Sequence, residues 1–288
     1  MKIRCSNSHL AVKAAVVALV LFPLSAAAQS ASPRAKSGAL VQAKRAATPA
    51  ASIEGNPYFS GVWRNERDGS CNMEDVNDDA CGVGAEASGR QRRPAQSRII
   101  DPPDGKIPYL PLARQQQQAV AQNFQNPSLH QIDLQSRCLP GGVPRPFMHS
   151  PFQFVQIPGY VVLLHENFHL YRVIPLDGRP HIARNVPLWM GDSRGHWEGN
   201  TLVVDVTNLN GRMWFDVVGN FHSNALHLVE RFTVVDPNKI HYEATFDDPN
   251  VYSRPWTLAL DLKRDEPGTE LMEWACYEGE RDKEHILR

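Results

Sequence analysis

The densest run of chemically able side chains in the sequence is His165-Glu166-Asn167-Phe168-His169. It matches the His-Glu-x-x-His signature of zinc peptidases. That chemistry needs a helix, where residues four apart share a face and both imidazoles can reach one ion beside the glutamate. The flanks, Tyr160-Val161-Val162-Leu163-Leu164 and Leu170-Tyr171-Arg172-Val173-Ile174, spell a strand instead. Along a strand, residues four apart lie about 13 Å from each other, too far to share one metal. Arg172 and Pro175 also stand where the longer signature needs a glycine and a third histidine. No resident metal is expected; a zinc peptidase through His165 and His169 is the less favoured alternative.

Read as extended, the segment puts His165, Asn167, His169 and Tyr171 on one side. Leu164, Glu166, Phe168, Leu170 and Arg172 fall on the other. A glutamate and an arginine on a largely apolar face need partners, because an unpaired buried charge is costly. They are either a structural ion pair or the wall of a reactive cavity.

Two further concentrations stand out. In Phe221 to Phe232, His227, Val229 and Arg231 alternate with Leu228, Glu230 and Phe232. Gly191 to Asp205 carries charges around Gly195, Trp197 and Gly199. His181 follows Pro180 in a turn-rich stretch. The acid–base candidates are Glu166, His181 and His227, since histidine titrates near neutrality and a desolvated glutamate can be pushed there. Arg172 and Arg231 suit a carboxylate, enolate or oxyanion, and His169 and Glu230 complete the substrate-binding set. His222-Ser223 are neighbours in sequence, which does not make a triad, and no covalent serine mechanism is expected. No glycine-rich phosphate motif points to a nucleotide, and no cofactor is expected.

These residues ride on strands. Val155–Ile157, Tyr160–Ile174, Thr201–Val206, Leu226–Val235, Ile240–Phe246, Trp256–Leu262 and Glu270–Tyr277 are rich in β-branched and aromatic residues. Turns such as Pro158-Gly159, Asp177-Gly178, Glu198-Gly199-Asn200, Asp236-Pro237-Asn238 and Pro267-Gly268 punctuate them. Residues 111–126 form the one expected helix, ended by Asn126-Pro127. Strands at hairpin spacing predict a mainly β protein, an antiparallel barrel or sandwich. Gly61-Val62-Trp63 resembles the Gly-x-Trp that plugs one end of lipocalin-like barrels.

The first 28 residues read as a cleavable signal: Lys2 and Arg4, an apolar run from Ala14 to Phe22, and Ala26-Ala27-Ala28 before a cut at Gln29. Residues 29–53, rich in Ala, Ser, Lys and Pro, read as a disordered linker, and 54–288 as a single β-rich domain. A periplasmic or secreted location follows, with no stable membrane insertion after cleavage. Seven of the 30 basic residues and none of the 31 acidic ones precede residue 54, which leaves the remainder at about −8 and argues against nucleic acid as partner. Of five cysteines, Cys5 lies in the signal. The other four suggest two disulfides, with three pairings open. Cys71–Cys81 as a local loop and Cys138–Cys276 as a long staple are favoured.

Several multi-residue stretches, among them Ile99 to Pro108, Ile174-Pro175-Leu176-Asp177-Gly178-Arg179-Pro180-His181, Gly191 to Asp205, Val229-Glu230-Arg231-Phe232, Arg254-Pro255-Trp256 and Ala275-Cys276-Tyr277-Glu278, resemble a large group of secreted, mostly uncharacterised bacterial proteins. The resemblance covers roughly residues 97–280. It implies no particular activity. In that group the place of His165 is commonly apolar, whereas Glu166, His169, Arg172, His181, His227, Glu230 and Arg231 fit its pattern.

The expected function is an exported β-barrel protein that accepts a small, largely apolar organic molecule. It would act by cofactor-independent acid–base chemistry as an isomerase, lyase, cyclase or hydrolase. A non-catalytic small-molecule binding protein of the same fold is the alternative, and the oligomeric state is open.

Overall fold

A computed structural model describes residues 52–67, 71–76, 96–123, 126–148, 150–274 and 276. The signal and most of the linker, Cys81, and the acidic and basic clusters between residues 77 and 95 lie outside the described residues. The protein is mainly β. A short hairpin of β1 (Ser52–Ile53) and β2 (Asn56–Pro57) precedes ten strands of one antiparallel sheet. These are β3 (Gly61–Asn65), β4 (Ile99–Asp101), β5 (Phe152–Ile157), β6 (Tyr160–His165), β7 (Tyr171–Pro175), β8 (Asp192–Glu198), β9 (Thr201–Thr207), β10 (His227–Asp236), β11 (Lys239–Asp247) and β12 (Trp256–Arg264). Their order is β7-β6-β5-β3-β12-β11-β10-β9-β8, and β4 pairs with the start of β12.

The sheet curls until its two ends, β7 and β8, nearly meet. No backbone ladder joins them; side chains do. Arg172 of β7 donates to the Ser193 hydroxyl of β8 at 2.9 Å. Gly195 of β8 lets the strands approach, since a Cβ there would stand 2.7 Å from Ile174 and 2.8 Å from Leu176. The result is a nearly closed antiparallel barrel.

Alternation along each strand fills the interior. Phe152, Phe154, Val204, Leu228, Phe232, Tyr242 and Leu258 point inward and are fully buried. Phe147, on the 3₁₀ turn Arg145–Met148, enters this interior and packs against Phe152, Phe232 and Tyr242 with centroids 4.8, 5.7 and 5.2 Å away. Trp63 is buried as the Gly-x-Trp pattern suggests, and the Arg264 guanidinium lies 4.4 Å from its ring. The helix α1 (Pro111–Gln122) starts at a proline and ends four residues earlier than expected, where the Asn123 side chain donates through Nδ2 to the Ala119 carbonyl at 2.7 Å. No helix among the described residues is long and apolar enough to cross a membrane.

The expected strand from Tyr160 to Ile174 is two strands. β6 ends at His165 and β7 starts at Tyr171, paired Val161 to Ile174 and Leu163 to Arg172. Between them Phe168 and His169 both take left-handed backbone angles, φ 58° and 52°. Left-handed backbone costs roughly 1–2 kcal/mol per non-glycine residue, so contacts from elsewhere must hold the turn. They come from the C-terminal segment. Glu166 accepts the Met272 amide at 2.9 Å, Asn167 bridges to Trp274, and the Phe168 and Trp274 rings lie 5.1 Å apart. Among the described residues of the expected last strand, 270–277, only Trp274 makes a bridge. The segment is instead tied down by the Cys138–Cys276 disulfide, the expected long staple. Cys71 is also disulfide-bonded, while its expected partner lies outside the described residues.

Candidate functional site

Strand parity sorts the candidate residues into an interior set and an exterior set. Arg172 and Glu230 point inward, 3% and 0% exposed. They bind each other: Arg172 donates through Nη1 at 3.2 Å and through Nη2 to the two glutamate oxygens. The Tyr242 hydroxyl donates to Glu230 Oε1 at 2.8 Å. Burial, then the adjacent Glu230 charge, pushes the Tyr242 phenol well above its usual value, which keeps it a donor. This interior network ties β7, β8, β10 and β11 together. Enclosed by the aromatic core, the two charged groups bind each other, while Arg172 Nε has no hydrogen-bond partner among the described residues.

Ser193 belongs to that network and lies in a serine motif of its own. Gly191-Asp192-Ser193-Arg194-Gly195 spells Gly-x-Ser-x-Gly, the nucleophile-elbow pattern. The chemistry of that pattern requires a sharp turn from strand to helix that exposes the serine. Here Ser193 sits within β8, 5% exposed, and receives Arg172.

His165 and His169 diverge. His165 is buried against the rings of Phe147 and Phe152, at 5.4 and 5.8 Å, whereas His169 is exposed on the turn. Glu166, between them, holds the Met272 amide.

On the outer face the structure brings His181 and His227 to one carboxylate. Asp205 of β9 meets His181 Nε2 at 2.7 Å through one oxygen and His227 Nε2 at 2.6 Å through the other. The chain of contacts continues inward. His181 Nδ1 meets Asp192 at 2.7 Å, and the second Asp192 oxygen accepts from Arg194 at 2.6 Å. Both ring nitrogens of His181 face carboxylate oxygens. His227 uses Nε2 on Asp205, and its Nδ1 makes no hydrogen bond among the described residues.

Local structure explains the convergence. In the register of β8, β9 and β10, Arg194 lies beside Asp205, and Asp205 beside Val229. Outward parity then places Asp192, Arg194, Asp205 and His227 on one surface. His181 comes from the 176–188 loop laid over that surface. Asn208, with φ 62°, donates to the Ala183 and Val186 carbonyls at 2.8 and 3.1 Å. Asp192 accepts the Ile182 amide at 3.0 Å, and Arg194 donates to the Pro180 carbonyl at 3.0 Å. Side-chain exposure rises along the relay, from 10% at Asp192 through 26% at His181 and 39% at Asp205 to 46% at His227. The relay therefore begins in a braced, half-dry region and ends in solvent.

Arg231 shares this outer face but lies four positions along β10 from His227 and pairs with Glu198 at 2.7 Å. Hydrogen bonds from Arg231, then His196, hold the Glu198 carboxyl below its usual value. Asp192, Arg194 and Asp205 lie in the charged stretch Gly191 to Asp205 but were not among the acid–base or substrate-binding candidates. One signal existed: Asp205 interrupts the apolar strand Thr201-Leu202-Val203-Val204-Asp205-Val206-Thr207 at an outward position.

No protein-family model matches the chain, and no curated protein matches it.

Proposed function

We propose that this is an exported β-barrel protein that works on a small organic molecule by general acid–base chemistry at His227. Asp205 is the positioning residue. By accepting from Nε2 it fixes the tautomer and orientation of His227, leaving Nδ1 as the base that takes a substrate proton and then returns it. His181, Asp192 and Arg194 hold the other side of Asp205. The observation that carries this reading is the bridging of two imidazoles by one carboxylate on a partly exposed surface. Export rests on the signal-like first residues and fits the disulfide chemistry. Arg172 and Glu230, first considered for substrate binding, serve in this reading to hold the barrel, and Glu166 to hold the C-terminal segment.

The test compares the mature protein with His227→Ala and Asp205→Asn on a panel of esters, lactones and enolisable ketones. Loss of a general base typically costs about 10²–10⁴ in rate. The expected result is turnover that falls by at least about 100-fold in His227→Ala, with the melting temperature unchanged. Turnover equal in wild type and variants, or none across the panel, removes the catalytic reading. The non-catalytic binding protein would then stand, favoured by the pairing of the interior charges with one another.

A further inference from the structure

The outer wall of the barrel is divided by charge. Along β9 to β12 its outward positions carry Asp205, Arg231, Glu243 and Asp261. Along β5, β6 and β7 the outward positions carry no charge. The register sets Leu164 beside Tyr171, Val155 beside Val162, Val162 beside Val173, and Ile157 beside Tyr160, with Gln153 next to Leu164. These side chains stand outward because their neighbours along each strand, such as Phe154, Leu163 and Arg172, fill the interior. Tyr171 is 67% exposed, Val173 and Ile157 46%, and Leu164 37%. Arg179 marks the margin of the face. It donates to the Tyr160 hydroxyl at 3.0 Å and is held by Asp177.

Size and charge select the occupant. With Val155, Val162 and Tyr160 half-buried among them, these side chains show roughly 400 Å² of apolar surface, taking about 150–250 Å² for a large side chain in full. An interface of standard size takes about 800 Å² from each partner, a little over half of it apolar, or about 450 Å². The face therefore supplies the apolar share of one such interface. In a two-fold pairing each residue meets the surroundings of its own copy, where a charge would oppose its like. A face without charges avoids that repulsion, and one sheet face can stack on another about 10 Å away. The chain's own ends match it poorly. Residues 277–288 carry seven charged side chains, and in 29–51 Leu40 and Val41 are the only large apolar ones. The acidic excess from residue 54 onward disfavours an anionic membrane.

We propose that the protein forms a two-fold symmetric dimer in which the outer face of β5, β6 and β7 packs on the same face of a second copy, covering Leu164, Tyr171 and Val173. The face shares no residue with the Asp205 relay and stands or falls without it.

Sedimentation velocity of the mature protein between about 1 and 100 μM tests this. The expected result is a monomer–dimer equilibrium with the dimer prevailing at the upper end. Val173→Lys places a charge from each copy in the face and should weaken dimerisation at least about tenfold. Val173→Thr keeps the β-branched shape, removes apolar surface and should weaken it at least about threefold. Glu243→Lys, on the charged wall, should leave the dissociation constant unchanged, and far-UV circular dichroism should match wild type in all three variants. Wild type that is monomeric at about 100 μM overturns the proposal. So does dimerisation that both Val173 variants leave unchanged, or that Glu243→Lys weakens as much as they do. Monomeric protein that floats with phosphatidylcholine vesicles, and stops doing so in Val173→Lys, gives the face to lipid and overturns it as well.

Discussion

Asp216 and His222 show how burial acts on single groups. Both are fully buried at one end of the barrel, near Phe215. Burial pushes the Asp216 carboxyl up to about 6, although Asn220, the Met73 amide and Arg145 pull it down. Burial pushes the His222 imidazole below its ordinary value, against the pull of the Ser223 carbonyl and Asp248. The signs oppose each other. Asp216 is raised in the folded state, so its contribution is fully present below about pH 4 and is lost as pH rises through about 6; two pH units correspond to about 3 kcal/mol. His222 is lowered, so its contribution is present above about pH 6.5 and is lost as pH falls below that. Urea unfolding of wild type and Asp216→Asn from pH 4.5 to 7 should show wild type losing ground to the variant as pH rises. A constant difference between them would show that Asp216 stays ionised throughout.

Between elements, the seam of β7 and β8 is held by chemistry rather than by a ladder. The buried Arg172–Glu230 pair with Tyr242 and Ser193 spans four strands. Removing one partner strands a charge inside an aromatic core, a loss of about 3–5 kcal/mol, whereas removing both leaves no charge behind. Arg172→Met and Glu230→Leu should each lower unfolding free energy by that amount. The double variant should recover more than half of the summed loss. Purely additive losses in chemical denaturation would mean that the pair contributes no coupling to the seam.

At the scale of the whole molecule, the chain's last described residues brace its middle. Cys138–Cys276 closes a loop with a sequence separation of 138 residues. The segment beside it props the left-handed turn through Glu166, Asn167 and Phe168. In the chain-entropy account a loop of that size contributes up to about 5 kcal/mol. Cys276→Ser should reduce stability by about 2–5 kcal/mol. It should also speed amide exchange at His165 and Leu170, whose amides close the turn. Exchange unchanged there would mean that the turn stands without its C-terminal prop.

The alternation of apolar and polar residues in Thr201–Thr207, His227–Asp236, Lys239–Asp247 and Trp256–Arg264 was enough to determine antiparallel sheet and to assign a face to each side chain, because a strand's period is a local property. It separated His227 and Arg231 from Glu230 before any fold was known. The break at 166–170 was not legible: no glycine, proline or aspartate marks it, and its left-handed residues are held by a segment about a hundred positions away. The partners were not legible either. Arg172 and Glu230 are 58 residues apart, and His181 and His227 meet on a carboxylate 24 and 22 residues from each. Strand order decides such meetings, and strand order follows from how ten strands close around one core. Local residue pattern therefore determined which side chains face out within a strand, but not across the 166–170 turn, where His165 and Arg172, expected on opposite sides, are both buried and Leu164 and Tyr171 are both exposed; only the closed barrel decided which side chains touch.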